Sequence, residues 1–228
     1  MPSPLLVFLG FAAYALLHSV LLTEGVRSAL EVLVGPRVFP GLFRLGFTVQ
    51  AVVLLAGYVV WVVRLPDVHW GRATGVFAWG LWAVKGAALV YLLGCVARFG
   101  TADFLGWAQF RAWRRGEAIR GDGVETGDLV VGGPYRFVRH PMYAATLVAL
   151  WAEPHWSANR FAFVLAASLY LWVGSLHEEQ RLVRFYGQAY RDYMARTPRL
   201  IPRVPCRQPL LRILRPRHSP VRGQRKKR

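Results

Sequence analysis

Residues 140–179 read HPMYAATLVALWAEPHWSANRFAFVLAASLYLWVGSLHEE, and they are the most informative part of the chain about its fold. It holds two apolar runs, residues 142–151 and residues 161–176, separated by a short turn that contains proline and serine. The pattern predicts a helical hairpin in a membrane, with polar groups at the open end. Because a hairpin returns to the side from which it started, we expect His140 and Glu178 to lie close together.

Composition extends the membrane interpretation to the rest of the chain. Of 228 residues, 54% are hydrophobic and 18% are charged, whereas soluble domains usually hold fewer apolar and more charged residues. Further runs approach the roughly 20 apolar residues that a spanning helix needs; these are residues 4–22, 43–63 and 76–97. The sequence therefore predicts an all-α, integral-membrane helical bundle with about five transmembrane helices.

Polar segments divide the chain into three regions. We expect residues 1–97 to form a three-span membrane region, residues 98–202 to form the functional core, and residues 203–228 to form a basic, disordered tail. Within the core, the spacing of aromatic residues predicts a short interfacial helix over 103–113. Aromatic and basic residues alternate over 178–197, which predicts a C-terminal amphipathic helix along the membrane interface.

Basic residues are concentrated in the tail and in the loop before the hairpin. The formal net charge is +17, and residues 199–228 include 11 Lys or Arg and no Asp or Glu. We expect the tail to bind anionic lipid headgroups, and we expect no nucleic-acid partner. The positive-inside rule places the tail and the loop of residues 98–140 in the cytoplasm. The two cysteines lack metal-ligand spacing, so we expect no metal site.

Two ionisable clusters lie at the open end of the predicted hairpin. His140 precedes a helix that would begin at Pro141, where backbone N–H groups attract anions, and Arg139 adds positive charge. The alternative requires no binding site: arginines that line the membrane interface, followed by a proline that begins a helix, explain the same residues. Glu178 and Glu179 fit the amine of a zwitterionic ligand or, alternatively, a solvated helix end with ion pairs. Ionisable groups at membrane depth are costly, so a functional site is the default hypothesis.

Aromatic residues flank both clusters. Tyr135 and Tyr143 lie on either side of the histidine, and Tyr190 follows the acids. They fit either an interfacial aromatic belt or walls that stack on a flat heterocycle. Anion-binding N–H groups, carboxylates for an ammonium group and aromatic walls together suit S-adenosylmethionine. The sequence has no glycine-rich dinucleotide-binding motif after a strand, which excludes the soluble methyltransferase fold.

The motifs GPYRFVRHPMY, HEEQRLVRFYGQAYRDY and PRLIP lie within residues 128–202. They resemble the isoprenylcysteine carboxyl methyltransferase and phospholipid methyltransferase superfamily of integral-membrane enzymes. The resemblance implies a small transmembrane bundle that binds S-adenosylmethionine in a cytoplasmic-side pocket, and hence a location in the bacterial inner membrane. It implies a donor site lined by Leu129, Val130, Tyr135, His140, Pro141 and Tyr143, with Glu178 and Glu179 as the acidic pair. By the stacking hypothesis above, we expect Tyr190 to add an aromatic wall.

One departure from the family pattern bears on the methyl acceptor. Members that methylate carboxyl groups resemble R-x-x-x-E-E at this helix end, and this chain has Gly174 in place of the arginine. A substrate carboxylate would then lack its best bidentate partner. The chain looks more like the bacterial methanethiol S-methyltransferase branch, which implies a small or lipophilic thiol as acceptor. Arg139 or the helix N-terminus would lower the pKa of the thiol, and His140 or Glu178 would take its proton.

Two alternative functions remain open in the sequence. The first is methylation of the carboxyl group of an isoprenylcysteine-like substrate, or of a lipid headgroup, by the same fold. The second is a non-catalytic membrane assembly protein that has kept the fold. Donor binding distinguishes the second alternative from both enzymes, because a pure scaffold would bind no S-adenosylmethionine.

Overall fold

The computed structural model describes residues 1–119 and 129–202. Its elements in chain order are α1 (Ser3–Val20), α2 (Glu24–Val34), α3 (Phe39–Val62), β1 (His69–Arg72), α4 (Gly75–Phe99), α5 (Thr101–Leu105), α6 (Trp107–Arg115), a 3₁₀ turn (Gly133–Arg136), α7 (Pro141–Trp151), β2 (His155–Ser157), α8 (Ala158–Tyr186) and α9 (Gln188–Arg196). The prediction of a lipid-binding tail over 203–228 falls outside the described residues and stays a prediction.

Four helices in the described part of the chain are long and apolar enough to cross a membrane: α1, α3, α4 and α8. Large apolar side chains are exposed along these helices, as expected for surfaces that contact lipid. The prediction of an all-α membrane bundle is therefore confirmed. The other predicted span, α7, has 11 residues. Its length of about 16 Å is roughly half the thickness of the hydrocarbon core, so α7 crosses only about half of the membrane. It packs against α4.

The hairpin forms as the sequence predicts. α7 begins at Pro141, whose fixed φ suits the first helical position, and His140 is the N-cap residue. At the turn, the Ser157 hydroxyl accepts a hydrogen bond from the Arg160 backbone N–H at 3.2 Å and caps α8. The sequence did not predict that β2 at this turn pairs antiparallel with β1. This small sheet holds the loop before α4 and the hairpin turn at the same end of the bundle.

α8 continues past the acid pair and ends only at Tyr186. This corrects the predicted end of the span near residue 176 and the separate amphipathic helix over 178–197. No proline interrupts α8 after the acid pair. The helix ends at Gly187, which has a φ of +59°, and α9 begins directly after it. At 1.5 Å per residue, Glu178 lies about 30 Å from the start of α8, a distance equal to the hydrocarbon thickness.

The predicted interfacial helix over 103–113 is divided into α5 and α6. Gly106 stands between them with a φ of +85°, and a Cβ there would lie 2.3 Å from the Leu45 backbone nitrogen. Glycine is required at this position because any side chain would collide with the backbone of α3. A Cβ on Gly41 would likewise lie 2.3 Å from the Cβ of Trp113. These two glycines therefore allow α6 to dock closely across the start of α3.

An ion cluster joins α4 to the hairpin turn. Lys85 Nζ lies 2.6 Å from Glu153 Oε2, and Arg160 Nη1 lies 2.6 Å from Glu153 Oε1. Burial by itself would raise the pKa of Glu153, but Lys85, the His155 backbone N–H and Arg160 lower it below its usual value. The carboxylate therefore stays charged and fixes the turn, at the end of the hairpin away from His140.

Candidate active site

The open end of the hairpin brings His140 into contact with the acid pair. His140 is buried, with 6% of its surface exposed. Its Nδ1 lies 3.3 Å from Glu178 Oε2, and its Nε2 lies 3.1 Å from Glu179 Oε1. The imidazole therefore bridges two carboxylates, although His140 and Glu179 are 39 positions apart in the chain.

Glu179 is the buried centre of this group of charges. Arg139 Nε lies 2.7 Å from one carboxylate oxygen, and Arg199 Nη2 lies 2.9 Å from the other. His140 is a third partner, and only 3% of the Glu179 surface is exposed. Arg139 also donates to two backbone carbonyl oxygens at the end of α9. The cluster therefore ties the segment after α9 to the start of α7 and leaves a ligand little access to Glu179.

Arg199 belongs to this cluster, although the sequence analysis assigned it no role. Its backbone also takes part, because the His140 N–H donates to the Arg199 carbonyl at 3.1 Å and the Arg139 N–H donates to the Pro198 carbonyl at 2.9 Å. The guanidinium lies 5.3 Å from the centre of the Trp172 ring. The available signal was an arginine within the PRLIP motif, but its distance along the chain from the acid pair gave no indication of contact.

Glu178 is the accessible member of the acid pair. Its side chain is 27% exposed, whereas that of Glu179 is 4% exposed. His140 holds one of its oxygens, and the Tyr143 hydroxyl is hydrogen-bonded to the same carboxylate. The Tyr143 ring stacks on His140, with centroids 5.4 Å apart and an interplanar angle of 14°. Glu178 is thus oriented by two neighbours and still reachable by a ligand.

The protonation state of His140 follows from these contacts. Burial by itself lowers the pKa of the imidazole, but hydrogen bonds and charge attraction from Glu178 and Glu179 outweigh it and raise the pKa above 6.5. The imidazolium then donates to a carboxylate from each ring nitrogen. Because no ring lone pair stays free, protonated His140 is not a proton acceptor.

The other residues of the predicted donor site lie in different environments. Tyr135 is half-buried, Val130 is exposed, and Pro141 is buried at the start of α7. Leu129 and Tyr190 belong to one small buried cluster. Tyr190 is only 2% exposed because α9 folds back against α8, so no face of its ring is accessible for the predicted stacking. The role of Tyr190 as an aromatic wall stays a prediction.

A cavity of about 270 Å³ opens beside the ion cluster. It is lined by Arg139, Trp172, Met194, Ala195, Thr197, Pro198 and Arg199. Neither His140 nor Glu178 lines this cavity, so it is separate from the accessible side of Glu178. Within residues 1–119 and 129–202, no group of three His, Cys, Asp or Glu side chains is placed to hold a metal ion.

Comparisons with known proteins point to one family of membrane enzymes. The family described as phospholipid methyltransferase matches residues 84–189, which include α7 and α8. Methanethiol S-methyltransferase 2 of Bradyrhizobium diazoefficiens is 31% identical over 144 residues, which cover 63% of this chain and 53% of that protein. The methanethiol S-methyltransferase of Mycobacterium tuberculosis is 29% identical over 198 residues, which cover 86% of this chain and 76% of that protein.

A eukaryotic relative extends the family resemblance. The protein-S-isoprenylcysteine O-methyltransferase of Schizosaccharomyces pombe is 35% identical over 82 residues, which cover 34% of each chain. The match to the Bradyrhizobium protein spans about half the length of that relative. No solved structure matches this chain. This helical membrane bundle is similar in sequence to the isoprenylcysteine carboxyl methyltransferase and phospholipid methyltransferase superfamily.

Proposed function

We propose that this chain is an integral-membrane methyltransferase that uses S-adenosylmethionine to S-methylate a small or lipophilic thiol. The proposal is carried by the Glu178 carboxylate, which His140 and Tyr143 orient and which stays partly exposed. The names of the methanethiol S-methyltransferase relatives support a thiol as acceptor. The basic loop before the hairpin supports a cytoplasmic location for this end of the bundle, at the bacterial inner membrane.

The residues at this end fit S-adenosylmethionine. The exposed side of Glu178 offers a carboxylate to a cationic group. The first turn of α7 offers backbone N–H groups to a carboxylate, and half-buried Tyr135 and Tyr143 offer aromatic surface to an adenine ring. When bound, S-adenosylmethionine supplies a methyl group on a positively charged sulfur. Val130 is exposed and Leu129 is buried, so Val130 is the better candidate for direct contact.

The ionisable residues have different roles in the proposed site. Glu178 binds positive charge, and protonated His140 keeps that carboxylate oriented. Arg139 is already committed to Glu179 and to backbone carbonyl oxygens, so we assign it a positioning role and no direct contact with the thiol. Exclusion of water at the membrane interface strengthens each of these interactions.

The surroundings of Glu178 favour a small acceptor. Gly174 lies one helical turn before Glu178 on the same face of α8, and a Cβ there would lie 4.0 Å from the Tyr143 hydroxyl oxygen. Glycine contributes no cationic side chain for a substrate carboxylate, which disfavours carboxyl methylation. Attack of a thiolate on a sulfonium neutralises charge, so a water-poor site disfavours the separated charges of the reactants.

Calorimetry tests donor binding. Detergent-purified protein should bind S-adenosylmethionine, and Glu178→Gln should lower the affinity by about 10- to 100-fold, the value of a hydrogen bond to a charged group. The matched control is Glu117→Gln, which neutralises an exposed carboxylate in a weak ion pair with Arg115 and should leave binding unchanged. If the unaltered protein does not bind S-adenosylmethionine, the proposed methyltransferase function is refuted and a non-catalytic scaffold is favoured.

Methyl transfer tests the acceptor class. The protein is incubated with methyl-labelled donor and with methanethiol, longer alkanethiols or a prenylated cysteine. We expect label in thioethers, with the free thiols as acceptors. Label confined to base-labile carboxyl esters would show that the acceptor is a carboxylate and that the thiol assignment is wrong.

A further inference from the structure

We propose that the cavity beside the ion cluster binds the phosphate group of an anionic phospholipid from the surrounding membrane. Its lining combines the cationic residues Arg139 and Arg199 with the aromatic residue Trp172. The cavity is separate from the accessible side of Glu178, so the inference adds a second ligand site and does not depend on the proposed methyl transfer. The ligand is a resident lipid and is neither the methyl donor nor the methyl acceptor.

The cavity carries an excess of positive charge. Arg139 and Arg199 both line it, and both pair with one carboxylate, that of Glu179. No acidic residue is among the described residues that line the cavity. An anion there would balance the guanidinium charge that Glu179 leaves over. A headgroup that also carries an ammonium group would find no carboxylate in the lining, so the site favours lipids with a net negative charge.

Arg199 is the residue best placed to hold the phosphate. Its Nε and Nη2 lie 3.1 Å and 2.9 Å from Glu179 Oε2, and these bonds use only part of the N–H donors of a guanidinium. The Arg199 side chain is 23% exposed, whereas that of Arg139 is buried and also donates to two backbone carbonyl oxygens. Arg199 can therefore keep Glu179 and direct further donors to a phosphate, whose geometry suits a guanidinium.

An apolar stripe on α8 leads to the cavity. Leu165, Leu169 and Trp172 recur at helical spacing, and all three side chains are exposed. On a helix that spans the membrane, such a stripe contacts acyl chains. The stripe ends at the Trp172 ring, whose centre lies 5.3 Å from the Arg199 guanidinium. A phospholipid that lies along the stripe would bring its phosphate to Arg199, whereas a free phosphate would not use the stripe.

The depth of the cavity fits a lipid headgroup. Glu179 lies about 32 Å along α8 from its start, which places the paired arginines at the edge of the hydrocarbon core. Trp172 lies about 10 Å nearer the membrane centre. Lipid phosphates lie at this edge, and tryptophan is enriched near it. The cationic and apolar parts of the cavity therefore follow the order of the phosphate and acyl chains in a phospholipid.

A bound lipid should stabilise the contact between the segment after α9 and the start of α7. The Arg199 carbonyl accepts a hydrogen bond from the His140 backbone N–H at 3.1 Å, and the Arg199 side chain reaches Glu179 of α8. A phosphate on the guanidinium would hold this segment in place. Because a ligand that binds only the folded protein stabilises it, the melting temperature should rise with the concentration of anionic lipid.

Lipid retention tests the inference directly. The full chain is purified in detergent with equal amounts of phosphatidylglycerol and phosphatidylcholine, and native mass spectrometry identifies the lipid that the protein retains. We expect phosphatidylglycerol to be preferred. Arg199→Gln should lower this preference about tenfold or more, the value of a hydrogen bond between charged groups. The matched control is Arg115→Gln, which removes the same charge from an exposed, weakly paired side chain and should leave the preference unchanged.

A second variant distinguishes loss of the site from loss of folding. Ala195 is exposed and lines the cavity, so Ala195→Glu adds a carboxylate to the lining while the side chains of the ion cluster stay in place. It should lose the lipid preference without a lower melting temperature. In thermal unfolding, phosphatidylglycerol should stabilise the unaltered protein and neither Arg199→Gln nor Ala195→Glu. Since every variant keeps residues 203–228, the charge of that segment does not affect the comparison.

Four results would overturn the inference. The first is equal retention of the two lipids by the unaltered protein, and the second is a loss confined to Arg199→Gln and accompanied by a lower melting temperature. The third is stabilisation by inorganic phosphate as large as that by phosphatidylglycerol, which would show a site for the free anion. The fourth is competition between phosphatidylglycerol and S-adenosylmethionine, which would assign the cavity to the donor. Failure to bind S-adenosylmethionine would refute the proposed function alone, because lipid retention is measured without donor.

Discussion

Neutralising the two adjacent acids of α8 should have opposite consequences for function and stability. Glu178→Gln removes a charge whose side chain is 27% exposed, and Glu179→Gln removes one that is 4% exposed. Glu178 faces the proposed donor site, whereas Glu179 holds three basic side chains together. We therefore expect Glu178→Gln to lose donor binding with little loss of stability, and Glu179→Gln to lose stability first.

The magnitudes follow from burial. Glu179→Gln leaves the buried guanidinium of Arg139 without its counter-ion and leaves His140 with Glu178 alone, and breaking a buried ion pair in this way costs about 3–5 kcal/mol. For a chain of this size the apparent melting temperature should fall by roughly 10 °C. Glu178 is partly solvated, so its loss should cost about 1 kcal/mol or less.

Thermal unfolding in detergent and donor calorimetry on the same samples separate the two effects. The calorimetry of Glu179→Gln is done well below its melting temperature, so that the folded protein is measured. Equal destabilisation by both substitutions would refute the division of roles between the two carboxylates. The same conclusion would follow if Glu179→Gln abolished donor binding while the melting temperature stayed unchanged.

Three further predictions concern the ion pairs and the tight helix contact. Lys85→Met should destabilise the protein by about 1–3 kcal/mol in thermal unfolding, because the buried Glu153 carboxylate is left with the more exposed Arg160 as its partner, and adding Glu153→Gln should restore part of the loss. Because the pKa of His140 is raised on folding, its protonation stabilises the folded state fully below pH 6.5, and this stability is lost as the pH rises through the raised pKa. The unfolding midpoint should therefore fall at alkaline pH. His140→Gln should remove this pH dependence. Gly106→Ala should lower the melting temperature more than Gly116→Ala, since both have positive φ but only Gly106 meets backbone within 3 Å.

The hairpin and its starting point were predictable because local signals specify them. Pro141 cannot donate a backbone hydrogen bond and suits the first helical turn, and the apolar runs on both sides of the turn exceed what a soluble loop contains. The meeting of His140 with Glu178 then follows from chain geometry alone. The division into interfacial helices was less predictable, since Gly106 breaks a helical pattern through a close contact with α3 that lies far away in sequence.

The role of Arg199 and the burial of Tyr190 could not be predicted from the sequence. Both depend on how the segment after α8 folds back, and that path begins at Gly187, one of many glycines in the chain. Once α9 turns back, Arg199 reaches Glu179 and the Tyr190 ring faces the core. The local sequence around an aromatic or basic residue at a predicted interface does not show whether its side chain contacts a ligand or the protein interior.

Local sequence signals are sufficient to place this chain in a membrane and to bring imidazole and carboxylate groups to one end of a helical hairpin. Hydropathy and proline act locally, so they can be recognised without the fold. Which of the two carboxylates stays accessible depends instead on tertiary packing. Glu178 and Glu179 are neighbours with the same chemistry, but successive residues of a helix point about 100° apart. Glu178 is therefore partly exposed beside His140 and Tyr143, whereas Glu179 is buried between arginines, and this difference depends on where the other segments pack.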